Sequence, residues 1–456
     1  MFRRPTLFVL PFVFVLTFAV MPRAQEVRTG PPPEIRALVD AFLKALDGDA
    51  AAFETMAKER FSADHLKKTS VADRKELFEK IRADFGKVTF ERAVREGPDA
   101  PLQLQVKGST GATGRISLEI DAASPPKISN ITVAMGDQQE AAAVPPPPVN
   151  GRMTPAELAQ ALDGYLSKLT AADTFSGIAL VARGDAVVFH KSYGFADRAN
   201  RIPNTERTRF NLGSINKTFT QVAIAQLVEQ GKVAYTDTLE KFFPDYPQAM
   251  SKSATVQQLL SHRAGVSDFF GPEFNREPKD RFRSNADYFR FVSARPPNFA
   301  PGERNQYCNG CYITLGAIVE RVSGMPYEQY VAEHVFKRAD MASTGYLQVD
   351  AIEPNVAIGY TRRTADGQLR SNVYMHGASG SAAGGGYSTA ADLFAYAKAV
   401  RKGLFPGLEG SLGIAGGAPG INAICESNAD WTVVVMSNFD PPTGEQLGLA
   451  IMRALR

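Results

Sequence analysis

Few side chains in this sequence are suited to a metal site or to a disulfide-based fold. Among 456 residues there are only three cysteines, five histidines and one tryptophan. Three cysteines are too few for a disulfide scaffold, so a hydrophobic core has to supply the stability. The histidines never recur at the HxxxH or HxH spacing that is typical of metal ligands. The sequence therefore predicts neither a metal nor a cofactor.

An excess of charge of one sign is also missing. The chain has 51 Lys and Arg residues against 48 Asp and Glu residues. Removal of the first 24 residues, which hold three arginines and no acidic residue, leaves 48 of each. A neutral protein has no electrostatic attraction for nucleic acid or for an anionic membrane. A small-molecule or peptide substrate is the expected partner, and the sequence does not give the oligomeric state.

The N-terminus has the pattern of an export signal. Arg3 and Arg4 precede an apolar run from Leu7 to Met21. The alternative is a retained membrane anchor, but this run is interrupted by Pro11 and falls short of the roughly 20 residues that span a bilayer. We therefore expect a signal peptide over residues 1–24, a periplasmic or secreted protein, and no stable membrane span after cleavage.

A proline-rich linker is predicted over residues 136–152. Its four consecutive prolines, Pro145 to Pro148, prevent a helix or a central strand from continuing through it. Before it, residues 25–135 show helical spacing at Ile35–Leu46 and at Ala72–Phe85, followed by four short runs of alternating hydrophobicity. Helices followed by successive strands predict a small α+β accessory domain. It contains no catalytic constellation, so a binding or packing role is expected.

Residues 153–456 have strand patterns at both ends and a helical middle. A helical pattern at Pro155–Leu169 leads to two strand-like runs, Ser176–Arg183 and Ala186–Tyr193, which a Gly-Asp pair joins as in a hairpin. Strand character returns at Trp431–Met436. This order predicts an α+β domain in which an antiparallel sheet is formed from both chain ends and packs against a helical block.

The segment Ser214-Ile-Asn-Lys217 begins an apolar helical pattern. Positions i and i+3 share a helix face, so the Lys217 side chain can lie beside the Ser214 hydroxyl. A serine hydroxyl needs such a base or cation to act as a nucleophile at neutral pH. The N-terminus of a helix also favours a developing oxyanion. Alone, the spacing is more typical of an N-cap serine and a solvated lysine.

Further segments accompany this motif in a fixed order. They are Leu259-Leu-Ser-His-Arg-Ala-Gly, Tyr307-Cys-Asn309 and Ala383-Gly-Gly-Gly-Tyr-Ser-Thr. Together with the Ser-x-x-Lys segment they resemble the serine β-lactamase-like or penicillin-binding-protein-like family. The branch is that of the class C β-lactamases, D-alanyl-D-alanine peptidases and related esterases, and the resemblance covers roughly residues 153–455. It implies the serine β-lactamase-like fold and an acyl-enzyme mechanism.

The resemblance also implies roles for particular residues. Ser214 would be the acylated nucleophile and Lys217 its electrostatic and proton-transfer partner. Tyr307 would assist proton transfer, and Asn309 would bind Lys217 and the substrate amide. A tyrosine is a poor base at its usual pKa of about 10, so this role requires a neighbouring ammonium that favours the phenolate. Otherwise, Tyr307 is a packed aromatic residue and Asn309 a helix N-cap.

A third motif of the family, K-x-G or H-x-G on a strand, is altered here. The matching segment starts at Gly413, and Ile414 takes the place of the Lys or His. The resemblance makes the N–H of Gly417 the second oxyanion donor. Because Ile414 cannot meet a substrate carboxylate, we expect small neutral esters to be preferred over β-lactams. His376 or Arg370 could replace the missing cation from another loop.

The stretch between Arg401 and Leu412 is also short for the family, which often has another strand there. Both departures favour a second hypothesis, a catalytically impaired relative that binds a ligand or a partner. The first hypothesis is an exported serine hydrolase that acts on an ester, an amide or a peptide.

The pair Cys308-x-x-Cys311 leaves open a redox site, a local disulfide or two buried thiols.

Overall fold

The computed structural model describes residues 32–95, 101–109, 113–121, 123, 125–135, 145–364, 367–408 and 410–456. The predicted signal peptide and the first part of the predicted linker, up to residue 144, lie outside them. Within these ranges, no helix is both long and apolar enough to cross a bilayer.

Four helices and an antiparallel sheet of four strands precede the proline run. The helices are α1 (Pro33–Asp47), α2 (Ala50–Arg60), α3 (Ala63–Lys68) and α4 (Val71–Phe85). The strands are β1 (Val88–Val94), β2 (Leu102–Gly108), β3 (Thr113–Ile120) and β4 (Ile128–Met135), in the spatial order β1-β2-β3-β4. Side chains of α1 at helical spacing, among them Leu38 and Phe42, pack into a core that this unit forms by itself.

After the proline run, helices and strands alternate in groups along the chain. The first are α5 (Pro155–Ala171), β5 (Gly177–Arg183), β6 (Ala186–Tyr193), β7 (Phe195–Asp197), β8 (Ile202–Pro203) and β9 (Phe210–Asn211). The helical middle contains α6 (Asn216–Glu229), α7 (Leu239–Phe242), α8 (Val256–Leu260), α9 (Pro272–Arg276), α10 (Asn285–Ser293), α11 (Asn309–Ser323) and α12 (Tyr327–Val331). The last are β10 (Tyr360–Thr361), β11 (Arg370–Ser371), β12 (Tyr387–Ser388), α13 (Ala390–Arg401), β13 (Leu412–Ala418), β14 (Ile421–Ser427), β15 (Trp431–Ser437) and α14 (Thr443–Leu455).

The central sheet joins strands from both ends of this part of the chain. Its five strands are antiparallel and have the order β13-β14-β15-β5-β6. Val181 of β5 lies opposite Val433 of β15, and β5 and β6 form the predicted hairpin. The predicted fold class is therefore confirmed. Among the described residues between α13 and β13 there is no strand.

Both faces of the central sheet are covered. Side chains alternate between the two faces along a strand, and on β15 Val433 and Val435 pack with α5 and α14 whereas Val434 and Met436 face the helical block. Helices α6 and α11 lie inside that block and are buried on nearly all sides. A helix that is enclosed in this way can place a polar side chain out of contact with water.

Two contacts connect the N-terminal unit and the proline run to the rest of the chain. Asp73 caps the start of α4 by accepting from the Ser70 N–H at 2.7 Å. Its second oxygen lies 2.8 Å from a guanidinium nitrogen of Arg304. At the first residue of the proline run, the carbonyl of Pro145 accepts a hydrogen bond from the Tyr165 hydroxyl of α5 at 2.5 Å.

Candidate active site

Ser214 lies in a single 3-10 turn, Gly213–Ile215, that leads directly into α6. The Asn211 side chain accepts a hydrogen bond from the Gly213 N–H at 2.9 Å. Gly213 has a φ of 50°, a conformation that glycine adopts more readily than any other residue. The turn therefore holds the half-buried Ser214 hydroxyl just ahead of the helix N-terminus.

Lys217 follows on the first turn of α6, and only 7% of the residue is exposed. Its Nζ atom lies 3.1 Å from Ser214 Oγ. The same atom is 2.7 Å from Asn309 Oδ1 and 2.6 Å from the carbonyl oxygen of Ala383. All three hydrogen-bonding directions of the Lys217 nitrogen are thus occupied by acceptors from three different parts of the chain.

Burial changes the protonation of this amine. It lowers the pKa of Lys217 to about 7, and the Asp268 carboxylate partly opposes this by favouring the ammonium. A substantial fraction of the amine is therefore uncharged at neutral pH. An uncharged amine has two N–H donors and one lone pair. Since Asn309 and Ala383 occupy the two shorter contacts, the lone pair is left to face the hydroxyl of Ser214.

Tyr307 approaches Ser214 from the loop that precedes α11. Its hydroxyl lies 2.6 Å from Ser214 Oγ, and Lys217 Nζ is 4.7 Å from the centre of its ring. We expected the ammonium to favour the phenolate. Although 55% of the residue is exposed, burial of the side chain raises the pKa of Tyr307, and the hydrogen bond with Ser214 only partly offsets this rise. Tyr307 is therefore set up as a neutral proton donor rather than as a base.

Two residues that we had not assigned to the reactive centre support Tyr307 and Asn309. The Asp268 carboxylate accepts from the Asn309 side-chain amide at 2.9 Å and from its backbone N–H at 3.2 Å. His262 stacks on the Tyr307 ring with 4.9 Å between ring centres, and its Nδ1 accepts from the Cys308 N–H at 3.1 Å. The sequence Leu259–Gly265 pointed to this loop, but no spacing rule pointed to Asp268.

The two cysteines of the C-x-x-C segment form a disulfide between Cys308 and Cys311. Cys308 is the N-cap of α11, and its sulfur accepts from the Cys311 N–H. Asn309 is therefore the first residue of the helix and not its cap. The bond fixes the short stretch between Tyr307 and the helix, so that both side chains converge on Lys217.

Strand β13 passes directly beside the Ser214 turn. A Cβ atom at Gly416 would lie 2.0 Å from the Leu212 carbonyl and 2.6 Å from the Ser214 nitrogen, so only glycine fits there. A Cβ atom at Gly213 would lie 2.9 Å from the Gly417 nitrogen. The backbone nitrogens of Ser214 and Gly417 thus meet at the same junction, where the second oxyanion donor was predicted.

Ile414 lies two residues before Gly416 and is on the same face of β13, since alternate residues of a strand point to the same side. It is half-buried and packs against the core of the helical block. His376 is half-buried beside the carbonyl of Pro419, and its partial burial lowers the pKa of its imidazole. Arg370 lies on β11 and is not among the described residues that line the cavity at Ser214.

A cavity of about 310 Å³ opens at Ser214. Its lining includes Asn309 and Gly417, whereas Tyr307 and Lys217 are absent from the described lining residues. Across the described part of the chain, no group of three or more His, Cys, Asp or Glu side chains is placed to hold a metal ion. The arrangement can therefore supply a nucleophile, a base and a proton donor on one side of a substrate carbonyl and a binding space on the other.

Comparisons with known proteins bear on the family to which the chain belongs. Residues 162–410 match the protein family described as Beta-lactamase. The chain is 31% identical over 201 residues to PbpX of Bacillus subtilis (strain 168), which is named as a penicillin-binding protein, and the match covers 44% of this chain and 48% of PbpX. It is 30% identical over 183 residues to a beta-lactamase of Escherichia coli (strain K12), with 40% of this chain and 46% of that protein covered. The chain thus spans just under half the length of each of these relatives.

A solved structure extends the likeness over a longer part of the chain. The penicillin binding protein from Bacillus halodurans superposes with a TM-score of 0.56 at 30% sequence identity. The superposition covers 63% of this chain and 98% of that protein. Nearly the whole of that structure therefore has a counterpart here.

Proposed function

The chain belongs to the Beta-lactamase family, and from that premise we propose that residues 153–456 form a serine hydrolase that works through an acyl-enzyme. Its substrate is an ester, an amide or a peptide. The observation that carries the proposal is the buried Lys217 amine, 3.1 Å from the Ser214 hydroxyl and with a pKa of about 7. A base is most effective when its pKa lies near the working pH.

In the acylation step, the neutral Lys217 amine takes the hydroxyl proton while Ser214 Oγ forms a bond to the substrate carbonyl carbon. The carbonyl oxygen becomes an anion, and the N–H groups of Ser214 and Gly417 are placed to donate to it. Donors that are fixed in advance in this way stabilise the developing charge without having to reorganise. Asn309 holds the lysine through its 2.7 Å contact during the transfer.

The anion then collapses, and the bond from the carbonyl carbon to the leaving group breaks. The Tyr307 hydroxyl gives its proton to the departing oxygen or nitrogen and regains one from the Lys217 ammonium. The products of this half-reaction are an acyl ester on Ser214 and a free alcohol or amine. A water molecule reverses the sequence: the same two side chains remove its proton and return one to Ser214 Oγ, which releases the acid.

Active-site labelling tests the proposal. The mature protein should react with a fluorescent fluorophosphonate or penicillin probe, and mass spectrometry should locate the adduct on Ser214. Ser214→Ala should lose the label, whereas Ser371→Ala, at an exposed serine of β11, should keep it. An adduct on another residue, or full labelling of Ser214→Ala, would contradict the proposal.

A second candidate function is that of a ligand- or partner-binding relative with little turnover. Ile414 favours it, because this position offers no cation or proton donor at the site. The two functions differ in what happens to the acyl-Ser214 adduct that a carboxylic ester forms. Multiple turnovers support the hydrolase, while a stable acyl-Ser214 without release of the acid supports the binding protein.

We further propose that residues 1–24 export the protein to the periplasm or to the outside of the cell. The disulfide between Cys308 and Cys311 supports this location, since disulfides persist in oxidising compartments. Residues 25–135 act there as an accessory unit. Fractionation of cells that express the full chain tests the location: protein that remains in the cytoplasm at full length would contradict it.

A further inference from the structure

The cavity at Ser214 lies on the acyl side of the reacting carbonyl. This inference rests on the proposed function, in which Tyr307 protonates the leaving group. The leaving group must therefore depart on the Tyr307 side, and Tyr307 is not among the described residues that line the cavity. The acyl part of the substrate points away from the leaving group, and the cavity is a space at Ser214 whose described lining does not include Tyr307.

Apolar side chains form the larger part of the cavity wall, and uncharged polar residues such as Asn211, Asn372 and Ser379 share it with them. Its aliphatic and aromatic lining residues include Phe269, Leu347, Val356, Ile358 and Ile421. A space of about 310 Å³ holds roughly ten non-hydrogen atoms if each takes the ~30 Å³ share of a water molecule in the liquid. An acyl group of medium length fills such a space far better than an acetyl group does.

The ionisable side chains in the described lining of the cavity include no cation that could pair with a negatively charged substrate group. No lysine or arginine is among the described residues that line it. The one carboxylate in the described lining, Glu353, is already paired with Arg209 at 2.9 Å. His376 is held neutral because burial lowers the pKa of its imidazole. A carboxylate brought into this space would meet neutral donors, such as the side chains of Asn372 and Ser379, but among the described lining residues no cation that offsets the loss of its hydration, which is unfavourable.

Exposed apolar side chains continue from the cavity onto the surface. Phe270, Val349 and Val373 line the cavity and are also exposed to solvent, at 46%, 42% and 38%. Ile352, which lies between two lining residues, and Tyr374, which follows Val373, are among the most exposed large apolar residues that the structure describes. We call these five residues the apolar rim. Apolar side chains that are clustered on a surface commonly mark a binding site.

We infer that the enzyme selects substrates with an uncharged, apolar acyl group, which enters the cavity while the apolar rim binds the part of a longer chain that extends beyond it. Each methylene group that is transferred from water into such a site contributes about fourfold to binding. The chain-length preference should therefore be steep up to the point at which the cavity is full, and should flatten on the rim.

Two phosphonate probes test this inference without depending on release of the product. They are p-nitrophenyl esters of methylphosphonic and octylphosphonic acid, and the rate of Ser214 labelling is measured for each. The octyl probe should react at least about 10²-fold faster. A third probe that carries a terminal carboxylate on the same octyl chain should lose most of this gain. Equal rates for the methyl and octyl probes, or an equally fast carboxylate probe, would overturn the inference.

A rim variant locates the effect. Val349→Asp should lower the ratio of the octyl to the methyl labelling rate by at least about tenfold, because the new charge lies where the long chain is proposed to bind. Val187→Asp, at an exposed valine of β6 that does not line the cavity, should change neither rate. An unchanged ratio in Val349→Asp would contradict the role of the rim. If neither probe labels Ser214 in the wild type, the proposed function itself is wrong.

Discussion

The two sides of Ser214 differ in almost every physical respect. On the Tyr307 side, the polar atoms of Lys217 and Asn309 have partners at hydrogen-bonding distance, and their positions come from the cores of α6 and α11. On the cavity side, the walls are more apolar, contain no lysine or arginine among the described residues, and come largely from loops between short strands. The comparison teaches that chemistry and recognition are separate here: the first needs fixed polar atoms, and the second needs shape and the absence of charge.

Removal of the groups on the polar side should have the largest effect. Lys217→Met keeps the length of the side chain but removes the base, and Tyr307→Phe removes only the hydroxyl. Each should lower the rate of Ser214 acylation by about 10²–10⁴, the range for a positioned proton transfer. Stopped-flow measurement with an activated ester gives this rate.

The matched controls for these variants are Lys232→Met and Tyr235→Phe, at exposed positions away from the site. Both should retain the wild-type rate, and thermal unfolding should show that all four variants are folded. If Lys217→Met and Tyr307→Phe acylate at the wild-type rate, the division between a chemical side and a binding side is wrong.

A cation introduced at position 414 should alter the selectivity without altering the cavity, since Ile414 is not among the described residues that line it. Ile414 shares the face of β13 on which Gly416 meets the Ser214 turn, so a histidine there can offer a proton donor to a substrate carboxylate. Ile414→His should raise kcat/KM for a carboxylate-bearing β-lactam relative to a neutral ester by up to about 10².

Ile414→Leu is the control for repacking of the core and should leave the ratio of the two kcat/KM values unchanged. Efficient hydrolysis of the β-lactam by the wild type would refute the argument from the missing cation. So would a gain in Ile414→His that is equal for both substrates, since a general improvement is not selective recognition of a carboxylate.

The smallest expected effect is a shift of the pH dependence of kcat/KM. Activity should rise with pH through the Lys217 pKa of about 7, because only the uncharged amine can accept the proton. The Asp268 carboxylate favours the ammonium and so raises that pKa. Asp268→Asn removes the charge but keeps an acceptor for Asn309, and the rising limb of kcat/KM against pH should therefore move to lower pH.

Asp64→Asn, an exposed substitution in α3, serves as the control and should leave the profile in place. A limb that moves to higher pH in Asp268→Asn would show that the titrating group is not a lysine amine stabilised by this carboxylate. If kcat/KM of the wild type does not rise with pH near pH 7, the reaction does not depend on deprotonation of the Lys217 amine.

The sequence was most informative where chemistry imposes a spacing. Ser214 and Lys217 could be paired because they are three residues apart on one helix, and the central sheet could be predicted because β5, β6 and β15 have strong strand patterns. Asp268 could not be predicted, since its partner Asn309 is remote in the chain and no spacing rule connects the two. Helix α2 was missed because it buries only Phe53, Met56 and Ala57, too few for a clear helical pattern.

The apolar cavity could not be predicted from the sequence either. Its walls come from segments as distant as Phe269, Leu347 and Ile421, and each of these residues alone is an ordinary core residue. The sequence predicted that the pKa of Tyr307 falls, whereas desolvation raises it. The desolvation depends on tertiary contacts that a motif does not encode. The neutral amine of Lys217 follows from the same packing.

The order of strands in the central sheet has a consequence for how the protein is made. Strand β5 pairs with β15, so residues 177–183 meet residues 431–437, and such distant pairings form late because a long loop has to close first. At a synthesis rate of about 5–20 residues per second, β5 waits roughly 10–50 s for its neighbour to leave the ribosome. Strand β13, with Gly417, joins the sheet only through β14 and β15. Until β15 has left the ribosome, a nascent chain that already contains Ser214 and Lys217 therefore lacks the strand pairing that would place Gly417, the proposed second oxyanion donor, beside Ser214.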